Sequence, residues 1–399
     1  MKGLLKFTLL LCILKSMNHW LFWDIDYKII YFITILTIII CIIHNKRKGV
    51  IWHKSIKASY AIGFIFLATY AFYQNAATLT SNATIMSYST TILVLVIFYS
   101  TIRFCGSFKD EVISYIENAM IILLLPAIVI FLLRFIVSLP YIPMVHIDSH
   151  GNDPYGLIYN YIFLIHHSEA IADLASFPRF CGPFLEPGQL ATFLAFLLYV
   201  LKFDFSKKSR YILLIALLFS FSLAGYVLAL IGVMMQKSNS IKRIIPLLFI
   251  FGIVYVIGIN YNNGDNLLNK YILIRLEYDE EKGITGNDRS SAITDDIYEN
   301  YVLRNPEYLL FGWDKYRGDN IGGSGYKVYI VKNGIFSLIF IFIFYFMTCT
   351  GARNKKEMIM FFILIILSFL QRATPLIFYI PFLYMITLDR INTYKQIAK

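Results

Sequence analysis

The sequence predicts an all-α polytopic membrane protein with about twelve transmembrane helices and two large loops on one face. Three observations lead there. Of 399 residues, 58% are apolar and only 15% are charged, with a mean hydropathy of +0.63, far from the balance of a soluble domain. Runs of roughly 18 or more residues nearly free of charge recur from end to end, as a hydrocarbon core about 30 Å thick requires of each spanning helix. The basic residues collect in short segments between those runs. The apolar runs are continuous rather than alternating, which argues against a β-barrel.

The basic segments fix the order of crossings. They are NKRK at 45–48 with Lys54 and Lys57, KKSR at 207–210, Lys237 with Lys242 and Arg243, and RNKK at 353–356. The positive-inside rule places all of them in the cytoplasm. The net charge of +11 therefore speaks of topology rather than of nucleic acid. The N-terminal MKGLLKFTLLLCILKSM has the look of a signal peptide, but no small-residue cleavage site follows and the next apolar run starts at once, so it reads as the first span.

Spans at 4–23, 28–44, 58–73, 85–102 and 118–139 make up an N-terminal region, 1–139, that ends outside. A polar excursion at 140–185 follows, and a span at 186–201 returns to KKSR. The run 211–235 has basic residues on both flanks, so a single crossing would break the charge rule. A hairpin or broken helix with its apex at SFSLAGY, 220–226, resolves the conflict, since small and hydroxyl side chains can meet freed backbone groups. One helix with weakly enforced orientation is the alternative.

A span at 244–260 completes the central helices, 186–260, and leads to a second excursion at 261–325. Almost half of the acidic residues fall there, on the face opposite the basic loops. A span at 326–350 returns to RNKK. The last apolar stretch, 357–388, is split by QRATP and closes as a hairpin, so 326–399 hold the final helices and a tail, with both termini inside. Within the second excursion, DRSSAITDDIYENYVLRNPEYLLFGW reads as an amphipathic surface helix, ended at Asn305 by Pro306 and then a turn.

The five cysteines, Cys12, Cys41, Cys105, Cys181 and Cys349, show no CxxC spacing and imply no disulfide or zinc framework. With no basic partner at short spacing to activate it, Cys181 reads as a packed thiol. HIDSH, 146–150, offers two histidines and one aspartate without a fourth ligand, too little for a metal site.

The chemistry lies in the excursions. GLIYNYIFLI alternates Tyr159, Tyr161 and Phe163, a pattern that suits a strand or an aromatic shelf, for sugar stacking or for anchoring at headgroup depth. RFCGPFLEPGQLATFL sets Arg179 and Glu186 at a helix mouth, with glycines and prolines between them. The arginine fork suits pyrophosphate oxygens. Glu186 at a helix start is favoured as a carboxylate, fit to accept a proton from a sugar hydroxyl. A structural ion pair or cap is the alternative. In the second excursion Arg275, Arg289 and Arg304 add cations, whose default role is a solvated charged face.

RFCGPFLEPGQLATFL preceded by YNYIFLI, then SFSLAGYVLALIG, then RNPEYLLFGWDKYRGDNIGGSGYKVYIVKNGIFSLIFIFIFY together resemble, in the same order, the signature regions of Wzy-type O-antigen and capsular polysaccharide polymerases and the related O-antigen ligases. The resemblance spans roughly 159–345. It implies a glycosyltransferase of the bacterial inner membrane, with periplasmic outer loops, that joins undecaprenyl-pyrophosphate-linked oligosaccharide repeats without metal, nucleotide or other cofactor. A chain-length regulator and a flippase of the same pathway are the implied partners, besides membrane lipids. By the resemblance Arg179, Glu186 and Arg289 are catalytic, with Arg179 holding pyrophosphate and Glu186 orienting or deprotonating the acceptor hydroxyl. Arg275, Arg304, Tyr159, Asn160 and Tyr326 would bind substrate. Ligase-type members often carry a histidine shortly before the late helix, where this chain has Tyr326 and Tyr329; His166 and His167 lie in the other loop. That departure favours polymerase over ligase. A flippase of lipid-linked sugar is the further alternative, disfavoured because most strong charges lie in loops rather than within spans.

Overall fold

The structure is a computed structural model that describes residues 1–45, 51–53, 55–76, 83–145, 154–160, 162–166, 178–237, 256, 260–264, 266, 269, 273, 278–279, 283–284, 291–313, 325–372 and 374–390. It is mostly helical. In chain order the helices are α1 (Lys2–Ser16), α2 (Tyr27–Asn45), α3 (Ala58–Ala76), α4 (Ala83–Arg103), α5 (Gly106–Leu133), α6 (Pro187–Val200), α7 (Arg210–Phe219), α8 (Leu223–Lys237), α9 (Ala292–Ile297), α10 (Pro306–Phe311), α11 (Tyr326–Gly351), α12 (Lys355–Gln371) and α13 (Tyr379–Thr387). Three segments, Tyr27–His44, Gly106–Leu133 and Tyr326–Gly351, are long and apolar enough to cross a membrane, and several shorter apolar helices accompany them.

The strictly helical expectation needs one correction. The first excursion carries an antiparallel sheet of β1 (Tyr141–Val145), β2 (Pro154–Tyr159) and β3 (Phe163–His166), in that order, and a short pair β4 (Tyr278–Asp279) and β5 (Gly283–Ile284) stands in the second. GLIYNYIFLI is thus two strands with a turn at Asn160, not one. Its β-branched and aromatic residues favour pleated backbone, and Asn160 takes the left-handed conformation (φ 48°) that the turn needs.

The chain divides into two compact units. The first comprises Met1–Ile13, Ile25–Tyr115 and Asp288–Lys399, and the second Leu14–Asp24 and Ile116–Asn287. In the first unit α2 shows how the sequence builds for lipid. Ile29, Phe32, Ile33, Leu36, Ile39, Ile40 and Ile43 are exposed at helical spacing. The buried face carries Thr34 and Thr37, whose hydroxyls lie 3.2 Å from Cys12 Sγ and 3.0 Å from Thr8 Oγ1. An apolar outer face with hydroxyls on the buried one, among Ile30, Tyr31, Ile38 and Cys41, is unlike a soluble helix, and small hydroxyl residues at such interfaces let helices hydrogen-bond side by side. Elsewhere in this unit α11 packs along α3, α4 on α2, and α12 on α11.

In the second unit α6 is the central helix, with every residue but Gly188 buried, and α8 packs beside it. α5 begins at Gly106 rather than near 118 and so carries Glu117, 2% exposed at its side chain, inside an apolar helix. The carboxylate is fully engaged. Arg210 at the start of α7 grips it with Nε at 2.9 Å and Nη2 at 3.2 Å, Lys207 Nζ lies at 3.1 Å, and Arg210 Nη1 also donates to Asp204. A buried charge persists when paired in this bidentate way, and this one fastens the KKSR segment to α5.

The first apolar run is shorter than expected, because α1 ends at Ser16. Lys15 Nζ turns forward to Phe22 O at 2.6 Å and Trp23 O at 3.3 Å, closing a loop in which Asn18 is left-handed (φ 52°). The QRATP segment ends α12 as expected, with α13 starting at Tyr379. In the second excursion the surface helix stops short of Asn305, since α9 ends at Ile297 and the π-helical turn that continues it ends at Val302, and a further helix rather than a mere turn follows Asn305. The Asn305 side chain accepts from Glu307 N and Pro306 takes the first position of α10, where a missing N–H costs nothing.

The end of α13 in the first unit is held by a polar clasp. Asp389, left-handed at φ 59°, accepts from Lys57 Nζ (2.8 Å), Tyr60 OH (2.8 Å) and Arg353 N (2.7 Å). Lys109 Nζ donates to Met385 O and Leu388 O, the orphan carbonyls of that helix end. Burial by itself would push the Asp389 carboxyl up, but the hydrogen bonds from Lys57, the Arg353 N–H and Tyr60 outweigh it and hold the group below its ordinary 3.8. A lowered folded value means that the stabilisation is present above 3.8 and is lost as pH falls through the folded value. In chemical denaturation of the detergent-solubilised protein, Asp389→Asn is expected to cost roughly 2 kcal/mol at pH 7. The difference from the parent should close as pH falls below the folded value; a difference that persists unchanged into strong acid would contradict the clasp.

Candidate functional site

The charged helix mouth singled out in the sequence is a strap, 178–186, whose centre is buried. Phe180, Cys181 and Phe184 are at most 1% exposed, while Arg179 and Glu186 at its two ends are partly exposed. Gly182 takes φ 60°, a left-handed turn open to glycine at no steric cost, and a Cβ there would press on Leu124 Cδ2 at 3.1 Å. Phe184 N closes the turn on Cys181 O at 3.2 Å.

Each side of the strap is tied to a different piece of the second unit. Phe180 N donates to Phe219 O at 2.9 Å. Phe219 is the last residue of α7, where the run 211–235 does break, through Ser220, Phe221 (φ 43°) and Ser222, before α8 resumes. The strap therefore supplies a donor to a carbonyl that the break sets free. The Tyr226 hydroxyl donates to Leu218 O beside it. The Phe180 ring stands edge-on to Phe131 of α5 at 5.4 Å, and Phe131 also meets Phe219. On the other side Trp20 N donates to Pro183 O, His19 pairs with Phe184 as an isolated bridge, and Gln189 Nε2 donates to Ser16 O.

Held at so many points, the strap offers its terminal charges on a fixed backbone. Glu186 occupies the N-cap position of α6 (φ −131°, ψ 132°) with Pro187 after it, and its side chain makes no capping hydrogen bond. The carboxylate is thus not engaged in starting the helix, though the helix dipole favours its charge.

The sheet adjoins the strap. Ile158 of β2 forms one buried cluster with Cys181 and Leu185, with Trp20 and Trp23 packed around it. Tyr159, 6% exposed, lies beneath the Arg134 guanidinium, 5.7 Å from its ring centroid. Burial pushes the Tyr159 phenol up, against the opposing pull of Arg134, so it stays a neutral hydroxyl at physiological pH. Asn160, exposed, turns the chain next to it. Four expected site residues, Tyr159, Asn160, Arg179 and Glu186, are therefore carried by two adjoining segments of one unit.

The remaining described ones belong to the first unit. Arg304 is exposed and donates to Asn300 Oδ1 at 3.1 Å, which continues a ladder to Asp296. Tyr326 opens α11 and stands edge-on to Tyr298 at 6.3 Å, over a small core of Ile297, Val302, Ile330 and Val331. Arg275 and Arg289 lie outside the described residues, as does HIDSH. Among the described residues no group of three or more His, Cys, Asp or Glu side chains is placed to hold a metal ion.

Two features escaped the sequence reading of the site. Arg134 was legible only as a lone charge in an apolar run, and its place over Tyr159 depends on the fold of the sheet. The other is a second broken helix. α11 kinks at Gly334 (φ 71°, ψ 169°), where the freed Val331 O accepts from Trp313 N at 2.8 Å. Ser337 Oγ donates to Gly334 O at 2.8 Å and lies 3.2 Å from Tyr329 OH, itself 3.1 Å from Tyr70 OH. The glycine in KNGIF was the available signal.

In comparisons with protein families, curated proteins and solved structures, nothing matches this chain. The functional reading therefore rests on the residues themselves.

The kink at Gly334 is the most sterically demanding point of this arrangement. A Cβ there would strike Leu310 O and stand 2.5 Å from Gly312 N, on a backbone that L-residues resist. Gly334→Ala is expected to lower thermal stability by several degrees, a loss of roughly 2 kcal/mol or more. Gly3→Ala, which meets nothing within 4 Å, should leave it unchanged, and equal melting temperatures for the two variants in detergent would contradict the kink.

Proposed function

We propose that the protein is an inner-membrane glycosyltransferase of bacteria, with about twelve crossings and both termini in the cytoplasm. On the periplasmic face it would polymerise undecaprenyl-pyrophosphate-linked oligosaccharide repeats into O-antigen or capsular polysaccharide. The observation that carries this reading is the strap, a buried, multiply tied backbone with a guanidinium at one end and a carboxylate, not used as a cap, at the other.

A glycosyl diphosphate already holds a good leaving group, so the protein needs chiefly to position two substrates and to neutralise charge. In the proposed step the acceptor hydroxyl oxygen bonds to the anomeric carbon of the donor glycan as the bond from that carbon to the diphosphate oxygen breaks. Glu186 takes the hydroxyl proton. Arg179 pairs with the diphosphate as it leaves, its planar fork matching two oxygens at once. Asn160 beside the strap supplies an exposed amide for sugar contact, and Tyr159, buried beneath Arg134, supports that surface from within rather than as an open stacking face. Arg275, Arg289, Arg304 and Tyr326 are the candidates for the second substrate's phosphates and sugars. In its balance of loop charge over intramembrane charge the chain favours this reading over a flippase, for Glu117, the buried carboxylate of α5, is fully engaged by Arg210 and Lys207.

In a deletion strain the surface glycan should run on a gel as single repeats on the lipid anchor. Arg179→Ala should leave membrane abundance normal and reduce long chains roughly 10²- to 10³-fold, and Glu186→Gln should do likewise. Long chains made at normal yield by Arg179→Ala would remove its role, and complete absence of glycan in the deletion strain would favour a ligase or flippase.

A further inference from the structure

Arg134 closes the C-terminal end of α5, its backbone N–H donating to Ile130 O, and its guanidinium is held unlike that of Arg210. It stacks over two rings, Phe135 at 5.0 Å and Tyr159 at 5.7 Å. Ring stacking engages the face of the guanidinium and leaves its in-plane N–H donors to be met by something else. Among the described residues no carboxylate lies within ion-pair distance of it, and the buried Nη1 has no hydrogen-bond partner. Arg210, by contrast, has two carboxylates.

What surrounds this cation is apolar and exposed. Leu132, Leu133, Phe135, Ile136 and Val137 are between 40% and 80% exposed, so a positive charge that no described carboxylate meets sits in a collar of greasy surface. Such a pairing matches an amphiphile, with an anionic head on the guanidinium and hydrocarbon against the collar. A phosphate suits the head, because its oxygens accept the paired N–H groups of arginine. A soluble anion would gain nothing from the collar.

We propose that Arg134 and the collar 132–137 form a binding site for the phosphate head of a membrane lipid. The site goes beyond the transfer reaction and does not need it, since it asks only for a lipid whose phosphate head carries net negative charge. It lies along the same shelf as the strap, for Tyr159 under Arg134 directly follows Ile158, which packs on Cys181 and Leu185.

The test is native mass spectrometry of the full chain released from detergent with one added probe at a time: polyprenyl pyrophosphate, phosphatidylglycerol, phosphatidylcholine or inorganic pyrophosphate. At least one of the two anionic lipids should bind about tenfold more weakly to Arg134→Gln than to the parent, with Arg134→Lys between them, and inorganic pyrophosphate should bind at least about tenfold more weakly than that lipid. Which of the two lipids responds identifies the source of the phosphate. Arg134→Lys keeps the charge and controls for folding, as does an unchanged elution profile of each variant. The proposal is overturned if Arg134→Gln binds both anionic lipids as the parent does, if phosphatidylcholine shows the same dependence on Arg134, or if inorganic pyrophosphate binds as tightly as the lipids. Because the measurement involves no glycan transfer, its failure would leave the proposed reaction standing, and failure of the glycan assay would leave this site standing.

Discussion

A helix that breaks inside an apolar environment must hand its freed backbone groups to some other part of the protein, since lipid offers no hydrogen bonds and each unmet group costs several kcal/mol. Among the described residues two helices break, after Phe219 and at Gly334, and at each a freed carbonyl accepts a loop N–H, from Phe180 and from Trp313. In each case a glycine with positive φ lies within two residues of the donor, Gly182 and Gly312. The loops are therefore not free excursions from the bundle. Their backbones complete the helices, and this is why a segment as irregular as RFCGPFLEPG can be buried at its centre.

The same constraint governs charge. Where ionic groups sit among apolar helices they are paired or used on backbone carbonyls: Glu117 with Arg210, Asp389 with Lys57, Lys109 on the last carbonyls of α13, Lys15 on the turn after α1. These pairs are structural, because removing either partner would strand the other in a medium that cannot solvate it. Against that background Arg179, Glu186 and Arg134 stand out by position, at the partly exposed edges of one shelf made of strap and sheet. Binding an amphiphile with a diphosphate head, as proposed, would need charge at the border between greasy and polar surface, where these three residues stand.

Much of this was legible in the amino-acid order. Uninterrupted apolar runs announced the helices, and hydroxyl residues in SFSLAGY marked the first break. Arg179 and Glu186 were visible because charge against a hydrophobic run is costly without a purpose. Other features were hidden because they depend on contacts distant in sequence. The three-stranded sheet needed β1 to find β2 across the intervening chain. The extension of α5 back to Gly106 needed Arg210, ninety-three residues away, to neutralise Glu117. For the kink at Gly334 only the glycine itself was visible, because the close approach of Leu310 and Gly312 comes from contacts outside that local stretch.

The account depends most on residue 179 facing the outer aqueous edge while the strap beside it stays packed. Its cysteines make this measurable, since Cys12, Cys41, Cys181 and Cys349 are buried and only Cys105 is partly open. With Cys105→Ser as background, Arg179→Cys can be exposed in spheroplasts to a membrane-impermeant maleimide, and labelling at 179 and 181 resolved by peptide mass. Position 179 should react before the membrane is breached, with Cys181, two residues on, unreactive. Labelling of 179 only after lysis, or of Cys181 at the same rate, would contradict it.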